Sequence, residues 1–372
     1  MIWLLVTAAL AAEMMFEEAV RAAAGSPAGR ITEATAAADR ADARGSAAWE
    51  NPTVSAGHQT GQRNLEASVP IGLAPLARGV SAARTVDAVE IRERMASAVN
   101  AAAAGAAWLD ARRAADRAEA AVRTQELAER LSLAAQAKVE SGEWSVVEGV
   151  LAQADAARAL DEALAWQQEA LGARARLGVL VGAPVDELGP WPEVPVPPRA
   201  DVPPAVLAAD LEARAALAER LAARLALLPA LEISGGWQWG EQAGPTYGAS
   251  IEIPLFAPGI SASRAAAARA DLAEAEAELA GLDATAVRTA TDAEIQAAEQ
   301  LIRAWEIPGL ETVLASTIRL YDTGEISITE YQVQRELAIS AVGSAIDARW
   351  RLGRARLAGW ELAGVTPYEE RP

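Results

Sequence analysis

At 372 residues the chain has the length of two ordinary domains, yet its 52% hydrophobic content comes largely from alanine, with aromatics at 5% and only two Phe. Alanine-rich helices with interspersed charge favour coiled-coil packing over a thick globular core. A net charge of −18 argues against nucleic acid, which requires clustered Lys and Arg, and zero cysteines exclude disulfides, thiolate metal sites and a lipidated N-terminal Cys.

The first twelve residues form a short apolar run ending in small residues, with Ala9-Leu10-Ala11 fitting a signal-peptidase site. The run is too short to span a bilayer. It reads as a cleaved secretory signal over 1–12, although the first basic residue is Arg21 and a buried N-terminal helix is the alternative. No other run approaches 18 apolar residues, so contact with a membrane would have to run through strands.

Residues 16–24 form a short amphipathic piece, and Ser26-Pro27 starts a helix running to about residue 48. A hairpin follows over 51–75. Asn51-Pro52-Thr53 opens it, Gly61-Gln62-Arg63-Asn64 supplies its turn, and Leu65, Ala67, Val69, Ile71 and Leu73 then alternate with Glu66, Ser68, Pro70 and Gly72. A long helix runs from about residue 76 to Ser141-Gly142, and another follows to Leu180-Val181-Gly182. Residues 183–204 carry eight prolines, which rule out a helix and predict an extended strap.

Residue 205 opens a second copy. Its hairpin, over 230–256, keeps Leu231, Ile233, Trp237 and Trp239 on odd numbers against Glu232, Ser234 and Gln238 on even ones. After the turn, Tyr247, Ala249, Ile251, Ile253 and Leu255 keep the odd numbers, opposite Thr246, Ser250 and Glu252. The period then changes to that of one continuous helix over 259–323.

The copies align by number. Ala67-Ser68-Val69 matches Ala249-Ser250-Ile251, Gly142-Glu143-Trp144-Ser145-Val146-Val147-Glu148 matches Gly324-Glu325-Ile326-Ser327-Ile328-Thr329-Glu330, and Leu180-Val181-Gly182 matches Leu362-Ala363-Gly364, each at a shift of 182. Such a period marks a duplicated unit, 13–182 and 205–364 with a tail over 365–372, rather than a solenoid. At about 1.5 Å per residue each long helix would reach roughly 95 Å, a coiled-coil length. The two shorter helices of each copy, stacked end to end, would match it.

With the pieces in this order the chain resembles the TolC family of outer-membrane efflux proteins over essentially its whole mature length. The resemblance rests on the paired Gly-Glu-x-Ser-x-x-Glu turns, on Ile253-Pro254-Leu255-Phe256 with Pro258-Gly259 before a long Ala-rich helix, and on Asn51-Pro52-Thr53. It implies a mainly α protein with a membrane β-barrel: a homotrimer in which four strands per protomer close a 12-stranded barrel, continuing into a long α-helical coiled-coil tunnel through the periplasm. The implied function is that of a passive exit duct in the outer membrane of a Gram-negative bacterium. It serves a tripartite efflux or type I secretion system, docks a periplasmic adaptor and an inner-membrane pump, and uses no cofactor. A metal-cation efflux channel of the same family and a soluble periplasmic coiled-coil scaffold are the alternatives.

The residues of the pattern acquire roles on that resemblance. Gly142, Glu143, Ser145, Glu148, Gly324, Glu325, Ser327 and Glu330 would form the adaptor-docking tips, and Tyr321, Asp322, Glu148 and Glu330 the entrance, with Ile326 where some members carry a basic gate residue. Simple helix termination and capping accounts for the Gly and Ser equally well. The apolar odd face would meet lipid and the even face a lumen lined by Glu66, Glu232 and Glu252, although solvation of a polar face also explains these three. Trp237, Trp239 and Tyr247 would sit at the membrane interface; sheet packing in a soluble protein is the other reading of the tryptophans. Catalysis finds no support: the one histidine is His58, no His/Cys cluster has metal-ligand spacing, and neither a phosphate loop nor a Gly-x-Ser-x-Gly elbow occurs. The remaining Asp and Glu read as solvated faces of amphipathic helices.

Overall fold

A computed structural model describes residues 13–46, 53–59, 62–71, 73–199, 201–228, 230–239, 243–252, 258–305, 316, 319–320, 323, 325–366 and 368. The expected signal segment and the Ile253-Pro254-Leu255-Phe256 run lie outside them. In chain order the elements are α1 (Phe16–Gly25), α2 (Pro27–Ser46), β1 (Thr53–Gln59), β2 (Gln62–Ile71), α3 (Ala74–Glu140) and α4 (Val146–Val181). They continue with α5 (Pro204–Leu225), β3 (Ala230–Trp239), β4 (Gly244–Glu252), α6 (Pro258–Trp305) and α7 (Ile328–Ala363). The long helix of the second copy is thus described only to Trp305. An unbroken helix to residue 323 passes over Pro308-Gly309 in the sequence, a pair that removes one backbone donor and weakens helical propensity. No described helix is long and apolar enough to cross a membrane.

The chain divides into two compact units, and each draws on both copies of the repeat. One comprises the described residues of Met1–Arg30, Ser97–Arg199 and Val287–Pro372; the other comprises Ile31–Ala96 and Ala200–Ala286.

The second unit holds the sheet. Its four strands pair antiparallel in the order β1-β2-β3-β4, so the hairpins of the two copies lie side by side and both turns fall at one end. In the register Leu65 opposes Trp237, Ala67 opposes Gly235 and Val69 opposes Ile233, while Ile233 opposes Ala249 and Gly235 opposes Tyr247. Odd numbers therefore share one face through three strands. In β1 the parity switches, because Val54 opposes Ala67 and Ala56 opposes Leu65. The helical part of this unit packs on alanines such as Ala215, Ala218 and Ala222, and is tied by Arg40–Glu93, by Arg92–Glu212 at 2.6 Å and by the Ser81 hydroxyl, which donates to the Ala215 carbonyl at 2.9 Å.

The first unit holds the only large apolar core among the described residues. Phe16, Ala19 and Val20 of α1 pack with Trp108 and Leu109 of α3, Leu177 of α4 and Leu357 of α7; the Phe16 ring meets Trp108 edge-on at 5.6 Å. The proline-rich strap crosses this core without a ladder of its own, as expected of a chain so short of backbone N–H donors. Apart from one bridge in which the Met14 N–H donates to the Glu187 carbonyl, its carbonyls are met by side chains: Arg112 donates to Leu188 and Gly189, Arg356 to Val194 at 2.7 Å, and the Trp360 indole to Pro195 at 2.9 Å. Gly359 lets the strap come this close, since a Cβ there would stand 2.5 Å from Pro197 Cγ.

Candidate functional site

In their described residues the two Gly-Glu-x-Ser turns are built alike. At the first, α3 ends in a Schellman motif: Gly142 takes φ 77°, its N–H reaches the Val139 carbonyl at 3.0 Å, and the Glu143 N–H reaches back to Lys138 at 2.9 Å. At the second, the Glu325 N–H reaches the Leu320 carbonyl at the same 2.9 Å. Gly324 itself lies outside the described residues, as do Tyr321 and Asp322.

The next helix opens identically in both copies. The Ser145 hydroxyl accepts from the Glu148 N–H at 3.3 Å, while Glu148 Oε2 accepts from the Ser145 N–H at 2.8 Å and from its hydroxyl at 2.9 Å. In the second copy the Ser327 and Glu330 distances are 3.2, 2.8 and 3.0 Å. These are complete capping boxes, so each glutamate has a structural task that holds one carboxylate oxygen. The Ser327 backbone and side-chain hydrogen bonds hold the exposed Glu330 carboxyl below its ordinary value of 4.5.

The turns meet over a small apolar cluster of Leu131 and Ala135 from α3, Ala152 from α4 and Tyr331 from α7, against which Trp144 and Ile326 pack. Lys138, the one lysine of the sequence, stands 4.8 Å from the centre of the Trp144 ring. Glu143 and Glu325 are exposed, and Thr323 Oγ1 donates to Glu325 at 3.1 Å.

Beyond this cluster lies a feature that sequence reasoning missed. Arg335 of α7 forks onto Asp155 of α4 with bonds of 2.5 and 2.6 Å, and both side chains are only 10% exposed. Further along, Asp347 accepts from Arg113 at 2.7 Å and Arg117 at 2.8 Å; burial works to raise its carboxyl, but the two guanidiniums outweigh burial and lower it. The Trp350 indole donates to Asp110 at 2.7 Å, and that of Trp191 to Asp116 at 2.5 Å, where burial wins and pushes the carboxyl up. These four aspartates correct the view of the acids as solvated helix faces: in an alanine seam too thin for large apolar contacts, they hold helices and strap together. Nothing in the sequence marks them, because partners such as Asp155 and Arg335 are 180 positions apart.

The sheet keeps the other expected residues together. Glu66 opposes Ser55 and Gly236, and Glu232 opposes Pro70 and Ser250, all on one face; both glutamates are half-buried. Glu252 holds the register position opposite Ala230 at the end of β4, and its side chain lies outside the description. On the opposite face Trp237 and Trp239 are nearly half exposed and Tyr247 is 85% exposed, with Val54, Leu65 and Ile233 open beside them.

This fold recurs in solved structures. A membrane protein from Pseudomonas aeruginosa superposes with TM-score 0.81 at 17% identity, over 94% of this chain and 90% of that one. The outer membrane protein VceC from Vibrio cholerae follows at TM-score 0.76 and 17% identity, over 94% and 96%. The Campylobacter jejuni CmeC outer membrane channel gives TM-score 0.74 and 13% identity, over 94% and 85%. The chain has the fold of an outer-membrane channel protomer. At these identities the likeness establishes fold alone; it agrees with the fold implied by the TolC resemblance. No protein-family model and no curated protein matches the sequence.

Proposed function

We propose that the chain is one protomer of a homotrimeric exit duct in the outer membrane, serving a tripartite efflux or type I secretion system. It works as a passive conduit and not as an enzyme. The observation that carries this reading is the sheet. Its end strands β1 and β4 each pair on one side only, one face exposes Val54, Leu65, Ile233, Trp237, Trp239 and Tyr247, and the register places Glu66, Glu232 and Glu252 on the other. Unpaired edges are untenable in hydrocarbon, and strands of seven to ten residues suit a tilted span of a bilayer. Three copies joined edge to edge close a barrel of twelve strands, with lipid outside and carboxylates in the lumen.

On the same reading the two capped turns, held as one unit by Trp144, Ile326 and Tyr331, present the surface on which a periplasmic adaptor docks beside an inner-membrane pump. Tyr321, Asp322, Glu148 and Glu330 stand at the entrance. The capping boxes support a rigid tip more directly than an acidic ring, because one oxygen of each glutamate is already taken.

Light scattering of the purified protein, corrected for bound detergent, tests this. The expected result is a trimer that requires detergent. Ile233→Arg, on the open apolar face, should then cost about 2–4 kcal/mol of insertion and abolish that trimer. A stable monomer or dimer in plain buffer that tolerates Ile233→Arg would replace the duct by a soluble scaffold.

A further inference from the structure

Charge is sorted across the sheet. The three glutamates of the strands fall on the polar face, but the only Lys or Arg in all four strands, Arg63, falls on the apolar one. It is the second residue of β2, it is exposed, and its register neighbours are Trp239, the last residue of β3, and His58 of β1. One pair further along, Leu65 opposes Trp237. Because β2 is paired on both sides, closure of a barrel through β1 and β4 would leave this face uncovered.

A guanidinium stays charged in every protein environment, so on a lipid-facing surface it is tolerable only near the interface, and is best stabilised there by an anionic partner. Arg63 meets that condition, standing at the turn end of the sheet where both indoles also lie. Its planar fork matches the oxygens of a phosphate, and rings beside it exclude water and strengthen the pair. The chain as a whole, at net charge −18, repels anions, so an anionic headgroup arriving here is selected by this one side chain.

We propose that Arg63, flanked by Trp237 and Trp239, is a binding site for the phosphate of an anionic membrane lipid in the leaflet that the hairpin turns face. The inference rests on the barrel reading above.

Bromine-bearing acyl chains quench indole emission on contact, and Trp237 and Trp239 are the two tryptophans of the strands. The full chain is reconstituted into vesicles containing brominated phosphatidylglycerol or, at equal mole fraction, brominated phosphatidylcholine. The signal of the two indoles is taken as the difference from the Trp237→Phe/Trp239→Phe protein. The expected result is several-fold stronger quenching by the anionic lipid, falling to equality in Arg63→Gln protein that light scattering shows to be assembled like the parent. Equal quenching by the two lipids in the parent protein overturns the site while leaving the barrel intact, whatever the Arg63→Gln protein does. A headgroup preference that survives in Arg63→Gln overturns it as well. Absence of quenching by either lipid in the parent removes the barrel reading, and the site with it.

Discussion

In their described residues the two helix-hairpin turns make the same backbone bonds and differ in what surrounds them. Ser145 with Glu148 and Ser327 with Glu330 make the same reciprocal bonds to within 0.1 Å, and the carbonyls of Lys138 and Leu320 receive the same returning N–H. The third residue is Trp144 in one turn and Ile326 in the other. Two turns later the copies diverge further: Asp155 of the first copy is buried under Arg335, whereas Leu337, its counterpart at a shift of 182, is 67% exposed. Duplication has kept what a chain needs to reverse between helices and has released the rest. The acid shared by both turns is therefore explained by capping, and what distinguishes them is a buried ion pair, one of several that bind one copy to the other.

Breaking that pair should have the largest effect on the comparison. Asp155→Ala leaves the Arg335 guanidinium buried without its partner and should cost about 3–5 kcal/mol, read as a large fall in Tm by circular dichroism in detergent. Replacing both residues, Asp155→Leu with Arg335→Met, should recover most of the loss, because an apolar pair of similar volume avoids the desolvation of two ions. A fall in Asp155→Ala of less than about 1 kcal/mol would mean that water reaches the pair, and that the copies are not joined by it.

The parts legible in the sequence are those governed by short-range rules. Capping boxes need residues three apart, strand faces need a period of two, and α3 needs only the absence of breakers, so the hairpin turns, the apolar sheet face and that helix all follow from local pattern. The parity switch of β1 depends on the pairing of Gln59 with Gln62 across a two-residue turn, which makes even numbers oppose odd ones; an alternating sequence by itself does not fix that register. Asp155, Asp347 and Asp116 were illegible for a different reason. Apart from Arg112, four residues before Asp116 on the same helix, their partners lie on other helices or on the strap, and in a seam of alanines a buried acid has the same neighbours in sequence as a solvated one.

Removing the caps tests the equivalence at smaller scale. Ser145→Ala and Ser327→Ala should each cost about 1 kcal/mol, since each deletes one side-chain acceptor for an orphan N–H at a helix start. The two losses of Tm should match, because the bonds match. A gap of more than about 1 kcal/mol would show that Trp144 and Ile326, rather than the boxes, set the strength of the turns.

The smallest expected effect isolates one carboxylate. Hydrogen bonds from the Ser327 N–H and hydroxyl lower the folded-state pKa of Glu330 beneath 4.5, so the unfolded chain takes up this proton first as the pH falls. The stabilisation is consequently present in full above about 4.5 and is lost as the pH drops through the lower folded value. Glu330→Gln removes the charge at every pH, so the difference in Tm between parent and variant should be constant near neutrality and shrink towards zero in acid. A difference that grows in acid would place on Glu330 a partner that prefers the neutral carboxyl, and the acid would then belong to the entrance rather than to the cap.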